Sequence, residues 1–207
     1  IIIILISIVV VVLLLITRFS LSKEEVLNKF QSALINGNSS LLSHCVKMEN
    51  ERVSSKDLQP LIESYNKDET RIKKVVNEIS KSGESGNFTL ESKKGFLKEK
   101  YYININNVTV KFISNVKNVD IEFSNKRFNL IDEAEFDVVP GCYEVIYTYK
   151  TDYGDITDSK ILNLMENDTI EINVDGNYIT LYTNFEDAKV FINGVDTGVI
   201  AKDIKNY

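Results

Sequence analysis

The chain has 207 residues, of which 43% are hydrophobic and 26% charged, with 24 basic against 30 acidic side chains and a formal net charge of −6. That length allows one to three small domains. The acidic balance argues against a nucleic-acid partner and would repel anionic polymers everywhere except at a local basic patch. Trp is absent and Pro scarce, while Ile, Asn and Lys are frequent; we assign this bias to the genome rather than to function.

Ile1–Ile16 is apolar throughout except for Ser7. As a helix it would span about 24 Å, somewhat short of the ~30 Å hydrocarbon core. Because the first residue is isoleucine, we expect the numbering to start inside a longer membrane helix. In lipid the helix is forced, since every backbone N–H must be paired internally. A cleaved signal peptide and a buried core helix are the alternatives. Arg18 follows the apolar run closely, and Ser20-Leu21-Ser22 is a poor cleavage site.

Helical signals begin directly afterwards. Ser22-Lys23-Glu24-Glu25 is a capping box. Val26, Leu27, Phe30, Ala33 and Leu34 then fall on one helical face, and Gly37 supplies a left-handed stop. A short helix is expected next, with Leu41, Leu42, Cys45 and Val46 inward. A third starts near Ser55, with Leu58, Leu61, Ile62 and Tyr65 in register and Pro60 in its first turn. Asp68 caps a fourth, carrying Ile72, Val75, Val76 and Ile79 and ending at Gly83. Four amphipathic helices make one small bundle.

At Gly86 the period changes from 3.6 to 2. Short alternating runs follow, from Phe88 and Leu90 through Tyr101–Ile105, Val108–Phe112 and Val119–Phe123. More lie in Glu135–Val139, Tyr143–Lys150, Lys160–Leu164 and Thr169–Val174. Such spacing indicates antiparallel sandwiches or barrels. Pro140-Gly141 suits a type II turn with positive φ at the glycine. A repeat also shows: Val110–Asn125 lies over Ile179–Gly194 without a gap, at an offset of 69 residues. In the second copy Asn193-Gly194 is a two-residue hairpin signal. The second copy stops short of the length of the first, so the chain reads as cut at both ends.

The chemistry-bearing residues are few. Cys45 and Cys142 form no C-x-x-C motif, and two buried free thiols are expected rather than a disulfide. His44 is the only histidine, and adjacent helical positions would point it and Cys45 about 100° apart, which disfavours a Cys–His nucleophile pair. There is no G-x-S-x-G elbow. Asp132, Glu133, Glu135 and Asp137 are checked against metal or glycosidase chemistry and read as a solvated strand face. Tyr101, Tyr102, Tyr143, Tyr147, Tyr149 and Tyr153 are either a sugar-stacking surface or half-buried sheet residues. Four matches to the glycosylation pattern, at Asn38, Asn87, Asn107 and Asn167, matter only in a eukaryotic secretory pathway. Lys93, Lys94, Lys98 and Lys100 form the best local basic cluster. They are the candidate contact for a polyanion or for lipid headgroups, against the alternative of a charged hairpin edge that blocks strand pairing.

The motifs carry a resemblance. Ile179–Leu181, Thr183, Ala188, Lys189–Gly194 and Gly198, with Pro140-Gly141-x-Tyr143-x-Val145, resemble PEGA-type β-modules of bacterial envelope proteins. The whole order also resembles the TcaA/YvbJ family of Gram-positive membrane proteins. That order is anchor, Ser22–Leu34 helix, Asp57-Leu58-x-Pro60-Leu61-Ile62 helix, Lys93-Lys94-Gly95 hairpin, Tyr101-Tyr102-Ile103-x-Ile105, then two β-modules. The resemblance implies a cytoplasmic N-terminus, often with a zinc ribbon, and an extracytoplasmic remainder linked to the cell wall and to glycopeptide susceptibility. It offers no catalytic residues and no cofactor.

The expected fold class is α+β and multidomain. A transmembrane helix over 1–18, truncated at its N-terminus, precedes a helical domain over 19–84. Tandem antiparallel β-sandwich modules follow, the first over 85–175 and the start of a second, PEGA-like one over 176–207. The expected function is a non-enzymatic, single-pass envelope protein. Ile1–Ile16 would contact the bilayer, and residues after Arg18 would lie outside the cell. The partner would be a cell-wall polymer or another envelope protein. The alternative is a transmembrane sensor of envelope state whose cytoplasmic domain is missing.

Overall fold

The computed structural model describes residues 21–95, 98–152, 154–174 and 183–203. The anchor expected over 1–18 lies outside them. Among the described residues no helix is long and apolar enough to cross a membrane. Those residues form an α+β structure of four α-helices and several β-sheets, divided into two compact units.

The first unit holds the described residues up to Val110, with Phe136–Tyr143 and Leu162–Asp168. Its helices are α1 (Lys23–Asn36), α2 (Ser39–Ser43), α3 (Gln59–Tyr65) and α4 (Glu69–Ser82). The local chemistry sets their ends. Ser22 Oγ accepts from the Glu25 amide at 3.3 Å, and Glu25 Oε2 accepts from the Ser22 amide at 2.7 Å, closing the expected capping box. These bonds hold the Glu25 carboxyl below its ordinary pKa. Asp68 caps α4 by accepting from the Arg71 amide at 3.0 Å. Gly37 and Gly83 close α1 and α4 at φ 64° and 87°.

α2 is shorter than its apolar spacing suggests. It stops at Ser43, and Val46 belongs to a strand instead, β1 (Val46–Lys47). The backbone explains the difference: the Cys45 carbonyl accepts from the Ile103 amide at 2.9 Å, a partner more useful than another helical turn. β1 pairs parallel with β4 (Glu99–Ile105), which pairs antiparallel with β3 (Phe88–Lys94), which meets β2 (Glu84–Ser85). The sheet order is β1-β4-β3-β2. Helices and sheet share one core. Phe30, Leu34, Leu58, Ile72 and Ile79 are fully buried in the same cluster as Phe88, Ile103 and Ile105.

β6 (Val119–Phe123) of the second unit pairs antiparallel with β7 (Lys126–Leu130) and with β9 (Gly141–Thr151), whose Gly141–Tyr143 start belongs to the first unit. β10 (Gly154–Leu164) completes a sheet of order β10-β9-β6-β7. A three-stranded sheet has order β11-β5-β8, from β5 (Val108–Ser114), β8 (Glu133–Val138) and β11 (Asp168–Ile172). Phe112 of β5 packs edge-on against Phe123 of β6, ring centroids 5.0 Å apart, and lies 5.8 Å from Phe128 of β7.

The hairpin part of the repeat has a structural counterpart, while residues 179–182 of the second copy lie outside the described residues. β12 (Lys189–Ile192) and β13 (Val195–Ile200) form a hairpin in which Ile192 pairs with Val195, as Phe123 pairs with Lys126 in β6–β7. Asn193 and Gly194 both have positive φ, 50° and 83°, and so do Ser124 and Asn125, 48° and 60°. Both turns therefore have the two-residue geometry that matches strand twist. At the offset of 69, the equivalence extends past Asn125 into β7 and β13.

Gly141 corrects one expectation. It is absent from the positive-φ residues, so it does not make the type II turn that Pro140-Gly141 suggested. It is needed for room: a Cβ there would sit 2.4 Å from the Pro60 carbonyl carbon and 2.7 Å from the Leu61 nitrogen. The glycine lets β9 start directly against the first turn of α3.

Candidate functional site

The basic cluster lies on the hairpin of β3 and β4, and the register decides which lysines can act together. Lys93 is directly opposite Lys100, and Lys94 is opposite Glu99. Side chains alternate along strands, so Lys93 and Lys100 share a face with the Glu91–Tyr102 pair two residues further along. Lys94 falls on the other face, and Lys98 sits in the turn, where its carbonyl accepts from the Gly95 amide at 3.0 Å. All four lysines are exposed. The sequence grouped them as one patch; the fold places Lys93 and Lys100 opposite each other on one face, with Lys94 on the other face and Lys98 in the turn.

Lys93 and Lys100 line a cleft of about 470 Å³ together with residues from 43–52. Parallel pairing of β1 with β4 sets Lys47 level with Asn104, on the same face as Tyr102. The Lys47 ammonium lies 4.5 Å above the Tyr102 ring. The chain then reverses within two residues. Met48 and Glu51 exchange both backbone hydrogen bonds, at 3.0 and 2.8 Å, around Glu49 and Asn50, which have φ of 50° and 67°. This turn brings Asn50 and Arg52 to the cleft wall. It is fastened by the Tyr102 hydroxyl, which donates to Glu91 Oε2 at 2.7 Å and lies 3.0 Å from Asn50 Oδ1. The hydrogen bond to Glu91 raises the Tyr102 pKa, and that from the Tyr101 hydroxyl to Glu99 raises Tyr101.

The electrostatics are opposite to those of the chain as a whole. Four cations line the cleft, Lys47, Arg52, Lys93 and Lys100, against one carboxylate, Glu51. Among the described residues none of the four forms an ion pair. Glu91 and Glu99, the nearest strand carboxylates, are turned to tyrosine hydroxyls instead. Sequence reasoning missed Lys47, Arg52 and Asn50. Residues 47–52 carry no periodicity, and their placement depends on a strand pairing more than fifty residues distant in sequence.

His44 and Cys45 also line the cleft but do not form a reactive pair. His44 Nδ1 lies 2.6 Å from the Ser40 carbonyl, which can only accept, so that nitrogen donates. Cys45 is buried and its thiol donates to the Leu42 carbonyl at 3.3 Å. Burial pushes its pKa up to about 12. Both cysteines are free, Cys45 buried and Cys142 half-buried. At pH 8 such a thiol holds about a thousandfold less thiolate than an ordinary one. In a Cys142→Ser variant, Cys45 is therefore expected to react with a disulfide reagent only as fast as the protein unfolds. Rapid stoichiometric modification of the native variant would contradict this.

The four carboxylates and the tyrosines disperse. Asp132 pairs with Lys117 at 3.5 Å, Glu133 with Lys111, and Asp137 accepts from Thr109 at 2.7 Å. Glu135 is exposed. Among the described residues no three His, Cys, Asp or Glu side chains gather where a metal ion could sit. Tyr143 is buried and donates to the Val139 carbonyl at 2.7 Å, and burial raises its pKa. Tyr147 donates to Asp158 at 3.0 Å. Tyr153 lies outside the described residues. Of the six tyrosines, Tyr101 and Tyr102 line the cleft.

No curated protein matches the chain. Residues 175–207 match the family described as TcaA protein 3rd/4th domain, so this C-terminal stretch is similar to a TcaA domain.

Proposed function

We propose that this chain is a single-pass, membrane-anchored envelope protein that works as a non-catalytic binding and scaffolding ectodomain. Ile1–Ile16 enters the bilayer. Residues after Arg18 face away from the cytosol, as a helical module followed by sandwich-type β-modules. The ectodomain engages the cell wall, and through it glycopeptide susceptibility. The observation that carries this reading is the match of residues 175–207 to a TcaA domain, joined to the apolar run at the start of the chain. A non-catalytic role is supported by a histidine tied to Ser40 and by a cysteine whose thiol is kept protonated.

Cell fractionation tests it. The full chain is expected with the membrane, resistant to carbonate extraction, and its ectodomain cleaved by protease added to intact spheroplasts. A variant with four Asp in place of Ile3, Ile6, Val9 and Val12 is expected in the soluble fraction. Recovery of the unaltered chain from the soluble cytosol, protected from external protease, would overturn the reading.

A further inference from the structure

We propose that the cleft lined by Lys47, Arg52, Lys93 and Lys100 is a binding site for a phosphate-bearing anion. It rests on the reading of this chain as a binding module and supplies the ligand class for it.

Three observations carry it. First, two lysines face each other across an antiparallel pair. Like charges directly opposite are destabilising in a sheet, and among the described residues no acidic side chain pairs with either. An anion held between them would remove that repulsion. Second, the cations arrive from separate elements. Lys93 and Lys100 come from the hairpin, Lys47 from β1, and Arg52 from beyond the Glu49-Asn50 turn. They converge on one concavity inside a chain of net charge −6. Low-dielectric walls around such a concavity focus its field. Third, Lys47 is held over the Tyr102 ring, and Tyr102 is itself fixed by Glu91 and Asn50, so part of the ordering is completed before a ligand arrives.

The geometry selects among anions. A carboxylate offers two oxygens and one charge. A phosphoryl group offers more acceptor oxygens, spread over a tetrahedron, and suits ammonium and guanidinium donors approaching from several sides. The cleft, at about 470 Å³, is also larger than one phosphate, which leaves space for the group it esterifies. Tyr101 and Asn50 border that space.

The test uses the full chain in uncharged detergent, titrated with sodium phosphate and with inorganic polyphosphate at ionic strength fixed by sodium chloride. Amide shifts are followed by NMR. Saturable shifts are expected at Lys47, Arg52, Lys93, Lys100 and Tyr102. Lys93→Gln/Lys100→Gln is expected to weaken polyphosphate binding about tenfold. Lys94→Gln/Lys98→Gln removes the same charge outside the lining, and is expected to weaken it no more than about twofold, as screened long-range attraction would. Shifts that never saturate, or equal losses in the two double variants, would overturn the site.

A further arm replaces the detergent by phosphatidylglycerol nanodiscs. Blocked polyphosphate binding there assigns the phosphate to a lipid headgroup, and unchanged binding assigns it to a soluble phosphate ester; either outcome supports the site. The fractionation experiment fails independently. A cytosolic chain that still shows the Lys93/Lys100 effect keeps the anion site and loses the membrane reading. A membrane-anchored chain without that effect does the reverse.

Discussion

Phe88→Ala is expected to destabilise the first unit by about 4 kcal/mol, the range for deleting a large aromatic side chain from a close-packed core. Phe88 opens β3 and is 1% exposed. Its ring meets Phe30 of α1 edge-on at 5.1 Å and lies 6.3 Å from Tyr65 of α3. Tyr65 is fixed in turn by the Arg71 guanidinium 4.4 Å from its ring, and Arg71 also donates to the Ser64 carbonyl at 3.0 Å. The lost ring thus leaves a void bounded by two helices and a sheet, none of which can collapse without moving the others. Urea unfolding followed by circular dichroism measures the loss as a lowered midpoint at unchanged slope. Hydrogen exchange adds a second readout. Protection is expected to fall together in α1, α3 and β4, because one core serves all three. If the helices kept their protection while β3 and β4 lost it, the shared core would be refuted.

Gly141→Ala is expected to cost about 3 kcal/mol, at the upper end of the ordinary range for overpacking. The new methyl would lie 2.4 Å from the Pro60 carbonyl carbon and 2.7 Å from the Leu61 nitrogen. These are backbone atoms at the start of α3, not the movable end of a side chain. Relief would require α3 to shift from the core that Leu58, Leu61 and Ile62 build. A matched control separates this cause from the general effect of replacing glycine. Gly194→Ala has open space around its Cβ but a φ of 83°, so its cost is the backbone strain of a left-handed residue, about 1 kcal/mol. Thermal melts of the two variants measure the difference. Equal losses would remove the close-approach argument at Gly141.

Local signals held at the helix caps and at one hairpin, though not at Pro140-Gly141. The capping box at Ser22, the Asp68 cap, the glycine stops at Gly37 and Gly83, and the Asn193-Gly194 hairpin each depend on groups within a few residues. The burial of Val26, Leu27, Phe30, Ala33 and Leu34 follows from helical spacing alone. β7 and β10 were harder to see. β7 buries only Leu130, and β10 alternates only in its Lys160–Leu164 end while Gly154 to Ile161 is exposed, so β7 and the first part of β10 lack the apolar alternation that marks a strand. Their pairing is set by hydrogen bonds to neighbours, which leave no trace in the residue pattern.

By itself the sequence indicated most of the described helices and strands, the Asn193-Gly194 hairpin and the position of a lysine-rich hairpin, because each follows from periodicity, turn chemistry or composition. Only the tertiary structure decided which elements share a core and which cations share a cleft. The change of period at Gly86 reads as a break between helices and strands, yet Phe88 packs on Phe30. Lys93 and Lys94 are neighbours in the chain, yet their partners across the hairpin are a lysine and a glutamate, and Lys47 and Arg52 reach the cleft by a parallel pairing. Strand register inverts a face with a shift of one residue, and non-local pairing is fixed by the packing of the whole unit, so neither is written in any short window of the chain.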